Sequence, residues 1–184
     1  MIGNLPKTLT VNGEDVPINS DYRAALVIFE ALNDDKLSAS NKSLTMLEIL
    51  YAFNIPKDTN EAIKQAIWFL DIGDSVKNKA PEPAGKTIDY KQDEQLLFAA
   101  VNAVAGHDVR EDEYMHWWTF YGWCQSISPE STISHIAHIR AKRSKGEKLE
   151  KHEQKYYYEN RYLIDLQSDV LNYEEMVRAL RGED

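Results

Sequence analysis

The chain has 184 residues, 30 Asp and Glu against 21 Lys and Arg, a formal net charge of −9 and a single cysteine. A chain of this length buries a core without disulfide or metal staples, and one cysteine, Cys124, rules out an internal disulfide framework. No run approaches the ~20 apolar residues of a membrane span, and MIGNLPKTLT lacks the apolar core of a signal peptide. The expectation is a soluble protein of a reducing, intracellular compartment.

The acidic balance argues against general nucleic-acid binding. Charge is unevenly spread, however. Residues 139 to 161 hold eight Lys and Arg against four Glu, a local +4. That polarity suits docking to a complementary protein surface or self-association.

In chain order, KTLTV and EDVPIN flank Asn12-Gly13, the dipeptide favoured in a two-residue type I′ hairpin. Pro17 confines the second strand to an edge. The period then becomes helical. Ser20 is the expected N-cap, with Asp21 in the first turn and Tyr22, Ala25, Leu26 and Phe29 in a stripe. A second helix is expected over about 42 to 53, with Phe53 on one of its apolar faces. Asp58 and Glu61 form a capping-box pattern before Ile63, Ala66, Ile67 and Leu70, and Gly73 is the stop.

DSVKNKAPEPAGKT, residues 74 to 87, has two prolines and no aromatic residue, and reads as a linker or long surface loop. Helical spacing resumes near Tyr90 with Leu97, Ala100, Val101 and Val104, and Gly106 ends it. The run EYMHWWTFYGWC follows, with three of the four tryptophans. On a helical wheel it is apolar nearly all round, which predicts a core helix buried on several sides, with Gly122 admitting a close neighbour. Ser128-Pro129 supplies an N-cap and a proline at the first helical position, ahead of Ile133, Ile136 and Ala137, and Gly146 closes that helix. A charged helix is expected over about 147 to 167, with Leu149, Tyr156 and Leu163 seven apart. Asn172 and Glu175 cap an amphipathic tail bearing Tyr173, Met176, Val177 and Leu180. The expected fold is mainly α, a multi-helix bundle with a short N-terminal β-hairpin. Its parts are residues 1–73 with the hairpin and first helices, the linker or surface loop 74–87, a helical core 88–167 that includes the aromatic helix, and the amphipathic tail 168–184, an order also compatible with one compact domain.

No constellation for catalysis emerges. His135 and His138 are three apart but share a row with Lys142, and no carboxylate or thiol at metal-ligand spacing completes a site. Cys124 and His116 are eight residues apart, about two turns or ~12 Å along one helix, too far for direct proton transfer. Phosphate-cradling glycine motifs are absent. The basic block RAKRSKGEKLEKHEQK raises nucleic acid as an alternative, but the aromatic residues lie about twenty residues upstream instead of being interleaved with it. The expectation is a protein without catalytic residues, cofactor or metal.

The order of features resembles the bacteriophage "gene product fifteen" family of tailed phages and prophages of Gram-positive bacteria. The resemblance is carried by Asp89-Tyr90 with Asp93 (D-Y-x-x-D), by Met115 to Phe120 (M-x-W-W-x-F) and by Ile136 with Ile139-Arg140 (I-x-x-I-R), and it covers roughly residues 5 to 166. AGHDV at 105 to 109 departs from the family's Y-x-I-D-L segment, and the tail beyond about 167 has no counterpart. The resemblance implies a non-enzymatic tail-assembly chaperone of the host cytoplasm, absent from the mature virion. Its implied partners are the tape-measure protein and the tail-tube protein, and it would act in several copies. The residues expected to meet a partner are Arg140, Lys142, Arg143 and Lys145, with Tyr173, Met176, Val177 and Leu180 on the tail.

Overall fold

Asn12 and Gly13 both adopt positive φ, 52° and 85°, the backbone that a type I′ turn requires. They join β1 (Thr8–Val11) to β2 (Glu14–Pro17) in antiparallel register, with Val11 opposite Glu14 and Thr8 opposite Pro17. The computed structural model describes residues 3–73 and 86–166. The tail and all but the last two residues of the expected linker therefore lie outside the described residues.

The helices are α1 (Tyr22–Leu32), α2 (Ala39–Leu50), α3 (Thr59–Leu70), α4 (Glu94–Ala105), α5 (Trp117–Gln125), α6 (Thr132–Ser144), α7 (Lys151–Glu159) and α8 (Arg161–Ile164), with a 3-10 turn at Val109–Glu111. The protein is thus mainly helical with one two-stranded hairpin. It forms two units, one from residues 1–80 and 101–126, the other from 81–100 and 127–184, and the boundary falls within α4. The aromatic helix α5 therefore belongs with the N-terminal residues, not with the expected core over 88–167. Its ties are to distant chain that local periodicity does not report.

In the first unit the N-cap of α1 is Asp21, not Ser20: the Asp21 carboxylate accepts the Arg23 N–H at 2.9 Å. Ser20 is buried instead, its hydroxyl 2.8 Å from the Tyr114 hydroxyl. Asp21 and His116 form an isolated antiparallel bridge. Residues 113–116 are consequently extended chain before α5, not its first turn. Tyr114 and Met115 leave the expected helical wheel, and His116 becomes the N-cap.

The second helix starts three residues earlier than expected, capped by Ser38, and ends before Phe53. Asp58 caps α3 as its pattern predicts, and Gly73 stops the chain there at φ 81°.

In the second unit α6 begins after Ser131, whose hydroxyl accepts the Ser134 N–H, so Ser128-Pro129 forms a preceding turn and not the cap. Gly146 closes α6 at φ 70°. The long charged helix is divided: α7 stops at Asn160, and the short α8 follows. That break turns Ile164 inward against Ile136 and Ile139, with Leu149, Tyr156 and Leu163 packed around them. The seven-residue spacing is therefore not a seam on one helix, since Leu149 precedes α7 and Leu163 lies in α8; what the three residues share is packing on the cluster of Ile136, Ile139 and Ile164.

Candidate partner-binding surface

Helix α6 and its C-cap carry the four basic residues expected at a surface, Lys145 being the cap, and the structure separates them. Its buried positions are Ile133, Ile136, Ile139 and Arg140. Arg140 lies on the inward side because a carboxylate waits there: its guanidinium donates to both oxygens of Asp93, at 2.5 and 3.0 Å. It also donates to the backbone oxygens of Ile164 at 2.7 Å, Leu163 at 2.8 Å and Thr87 at 3.2 Å. A guanidinium with five donors in a planar fork fits such a ring of oxygens, and each bond gains from the charge. Asp93 itself accepts the Asp89 N–H at 2.8 Å, while Asp89 accepts the Lys91 and Gln92 N–H groups. The D-Y-x-x-D and I-x-x-I-R patterns thus meet in one buried lock that holds the entry to α4 against α6 and the end of α8. The expected role of Arg140 as a surface contact is corrected on this ground.

Lys142 binds both oxygens of Glu153, at 2.8 and 2.9 Å, and His138 Nε2 lies 2.8 Å from the same carboxylate. Glu153 also accepts the Glu150 N–H at 2.7 Å, closing a capping box at the start of α7. Lys142 first, and then that backbone donor, hold the Glu153 carboxyl down at about 2. The same contact raises the Lys142 ammonium. Arg143 reaches Asp165 at 2.6 Å and stacks over the Tyr157 ring, 4.4 Å from its centroid. Arg161 and the Tyr157 hydroxyl share that carboxylate at 2.7 and 3.0 Å.

Of the four, only Lys145 keeps an exposed head without a carboxylate partner among the described residues. Lys148 in the α6–α7 connection and Lys151 at the start of α7 join it. Sequence reasoning missed this division because the partners, Asp93, Glu153 and Asp165, are between 11 and 47 residues away. Tyr173, Met176, Val177 and Leu180 lie outside the described residues.

Between α6 and α7 opens a cleft of about 330 Å³ lined by His135, His138, Ile139, His152, Glu153 and Tyr156. Ile139 and Tyr156 supply its apolar lining, and its polar lining pairs imidazoles with carboxylates: His138 faces Glu153 at 2.8 Å, His152 faces Glu150 at 3.5 Å and His135 faces Glu130 at 3.8 Å. The His135 ring meets Tyr156 edge-on, with centroids 5.5 Å apart. Among the described residues no group of three or more His, Cys, Asp or Glu side chains is placed to hold a metal ion. The two histidines singled out in the sequence are thus joined by His152, which sits one helix away and carries no spacing signal.

The aromatic run of the first unit is structural chemistry of another kind. Trp117 donates its indole N–H to the Leu70 oxygen at 3.0 Å, and Trp118 donates to that of Phe69 at 2.8 Å. These are last-turn carbonyls of α3, beyond the regular helical ladder, and that of Phe69 also accepts the Ile72 N–H at 3.2 Å. His116 Nδ1 accepts the Trp118 N–H at 3.0 Å, so Nε2 carries the proton and donates to the Pro6 oxygen at 2.9 Å. Burial lowers the His116 pKa and favours this neutral ring. Tyr22 stacks on Phe120 with centroids 4.4 Å apart. Trp117 and Phe120 are buried, but Trp118, Tyr121, Trp123 and Cys124 are half-buried and Gly122 is exposed, with nothing near its α-carbon face. Among the described residues the helix is therefore covered on one side, and none of them supplies the expected close neighbour at Gly122. Burial pushes the Cys124 thiol up to about 12, far from the thiolate range a nucleophile needs.

The family model described as "Bacteriophage Gp15 protein" matches residues 1–166. No curated protein and no solved structure matches the chain.

Proposed function

The chain belongs to the bacteriophage Gp15 protein family, and from that premise we propose that it is a tail-assembly chaperone. It binds the tape-measure protein, keeps that long helical chain soluble during tail morphogenesis in the host cytoplasm, and works without catalysis. The observation that carries this reading is the family match across residues 1–166, which takes in both units and leaves out only the tail. Two features support it physically. A net charge of −9 favours solubility of a complex built around apolar helices. The α6–α7 cleft, with an apolar and a polar lining, is the kind of concavity that accepts side chains of an amphipathic segment.

A nucleic-acid reading of the basic block draws less support. Arg140, Lys142 and Arg143 are engaged internally with Asp93, Glu153 and Asp165. With Lys155 3.8 Å from Glu159, that leaves Lys145, Lys148 and Lys151 of the block for phosphate, a small set for counterion release.

An affinity-tagged copy, co-expressed with the tape-measure protein of the same genome, tests the proposal. The tape measure should co-elute through washes at 0.5 M salt. A tag that retains nucleic acid but no tape measure would overturn it in favour of the second reading.

A further inference from the structure

Two histidines flank the connection from α4 to α5, and the structure gives them opposite charge. His116 is neutral, with one ring nitrogen donating and the other accepting. His107 meets acceptors at both nitrogens. Its Nδ1 lies 3.3 Å from the Ala105 carbonyl oxygen, and its Nε2 lies 3.0 and 3.2 Å from the two carboxylate oxygens of Asp112. A carbonyl and a carboxylate only accept, so both ring nitrogens of His107 donate and the ring is an imidazolium.

Its place in the chain favours that charge. His107 follows Gly106, which leaves α4 at φ 79°, so the cation sits at the negative end of the helix dipole. The side chain is 47% exposed, which keeps the charge in contact with water. The Asp112 hydrogen bond first, and then the Ala105 oxygen, raise the His107 pKa above its usual 6.5.

The contacts join three elements of the first unit. Ala105 ends α4, Asp112 caps the 3-10 turn at Val109–Glu111, and the Trp123 ring of α5 meets the imidazole edge-on, with centroids 6.0 Å apart. The other charges around this connection are Asp108, tied to Arg110 at 2.6 Å, and Arg23 of α1. Arg23 donates to the backbone oxygens of Asp112 and Arg110 and pairs with Asp21.

We propose that His107 is a proton-operated latch: as an imidazolium it pins the 3-10 turn to the end of α4 and braces Trp123, and on losing a proton it lets residues 106–112 loosen. A neutral ring keeps one donor, so its other nitrogen turns a lone pair on an acceptor and the ring must rotate away. Because the folded pKa lies above the unfolded 6.5, the latch is fully closed below 6.5 and opens as pH rises through the folded value.

Nitrogen-15 spectra of the full chain with labelled histidine test this whatever the protein binds. Below 6.5 both His107 nitrogens should resonate as protonated, and Asp112→Asn should move the His107 midpoint down toward 6.5. The Glu111 and Asp112 amides, bonded to the Asp108 and Val109 oxygens, report on the turn. On raising the pH from about 6 to about 9, their hydrogen-exchange protection factors should fall about two- to fivefold, the scale of one exposed ion pair. The Trp123 indole N–H resonance should shift across the same range, and His107→Gln should abolish both changes. A bare nitrogen on His107 below 6.5 overturns the proposal. Protection that is constant with pH, or that falls equally in the His107→Gln protein, overturns it as well.

Discussion

Removing one partner of the Asp93–Arg140 pair strands a full charge inside the second unit, where both side chains are almost wholly inaccessible, at 2% and 4% exposure. Arg140→Ala or Asp93→Ala should therefore cost about 3–5 kcal/mol in urea denaturation. Replacing both by apolar residues of similar volume should cost clearly less. A single-substitution loss under about 1 kcal/mol would show that water reaches the site and that the lock is not the anchor described. The tryptophans offer a graded comparison. Trp117→Phe removes the donor to a carbonyl in a buried setting and should cost about 1–3 kcal/mol. Trp118→Phe should cost less, because the half-buried site lets water approach the Phe69 oxygen. Equal losses would contradict this. Glu153 supplies a pH signature. Its carboxyl is held near 2 against an ordinary 4.5, so the unfolded chain takes up the proton first as pH falls. The contribution is complete above about 4.5 and disappears as pH drops from there toward 2. Urea midpoints of the wild type and Glu153→Gln should converge across that window, and parallel curves would refute the assignment.

At the scale of elements, the end of α2 stores strain. Ala52 and Phe53 both sit at positive φ, 49° and 64°, and the Phe53 side chain is 79% exposed. A bulky residue there carries a backbone penalty with little burial to offset it. Phe53→Asn should raise stability by about 0.5–1 kcal/mol. A loss of similar size would mean the ring makes a contact that its exposure hides. The same region shows which elements were legible in advance. Asn12-Gly13, the Asp58 cap and the stops at Gly73, Gly106 and Gly146 are local backbone chemistry, and each is found where its residues predict. The misplacements came wherever a distant partner decides. Asp21 takes the cap from Ser20 because residue 116 pairs with it across 95 positions. Residues 113–116 are drawn out of the aromatic helix by that same bridge. Asn160 breaks the charged helix where the chain turns Ile164 under α6. Of the partner surface, the basic residues were legible as a cluster. Their carboxylates were not, since nothing local marks Asp93 as the partner of Arg140.

At the scale of the molecule, Tyr22, Trp117 and Phe120 build the interior of the first unit, while Phe53, Tyr158 and Tyr162 are exposed. The indoles of Trp117 and Trp118 secure the end of α3, Arg140 ties α6 to α8, and a histidine-lined cleft opens between α6 and α7. Such a surface suits reversible contact with another chain. The direct measurement is the fate of the tape-measure protein expressed with and without this chain, followed by sedimentation. The chaperone account predicts that the tape measure pellets alone and moves to the supernatant, in complex with this protein, when the two are made together. A tape measure whose partition between pellet and supernatant is the same in both cells, with this protein sedimenting free of it, would contradict the account.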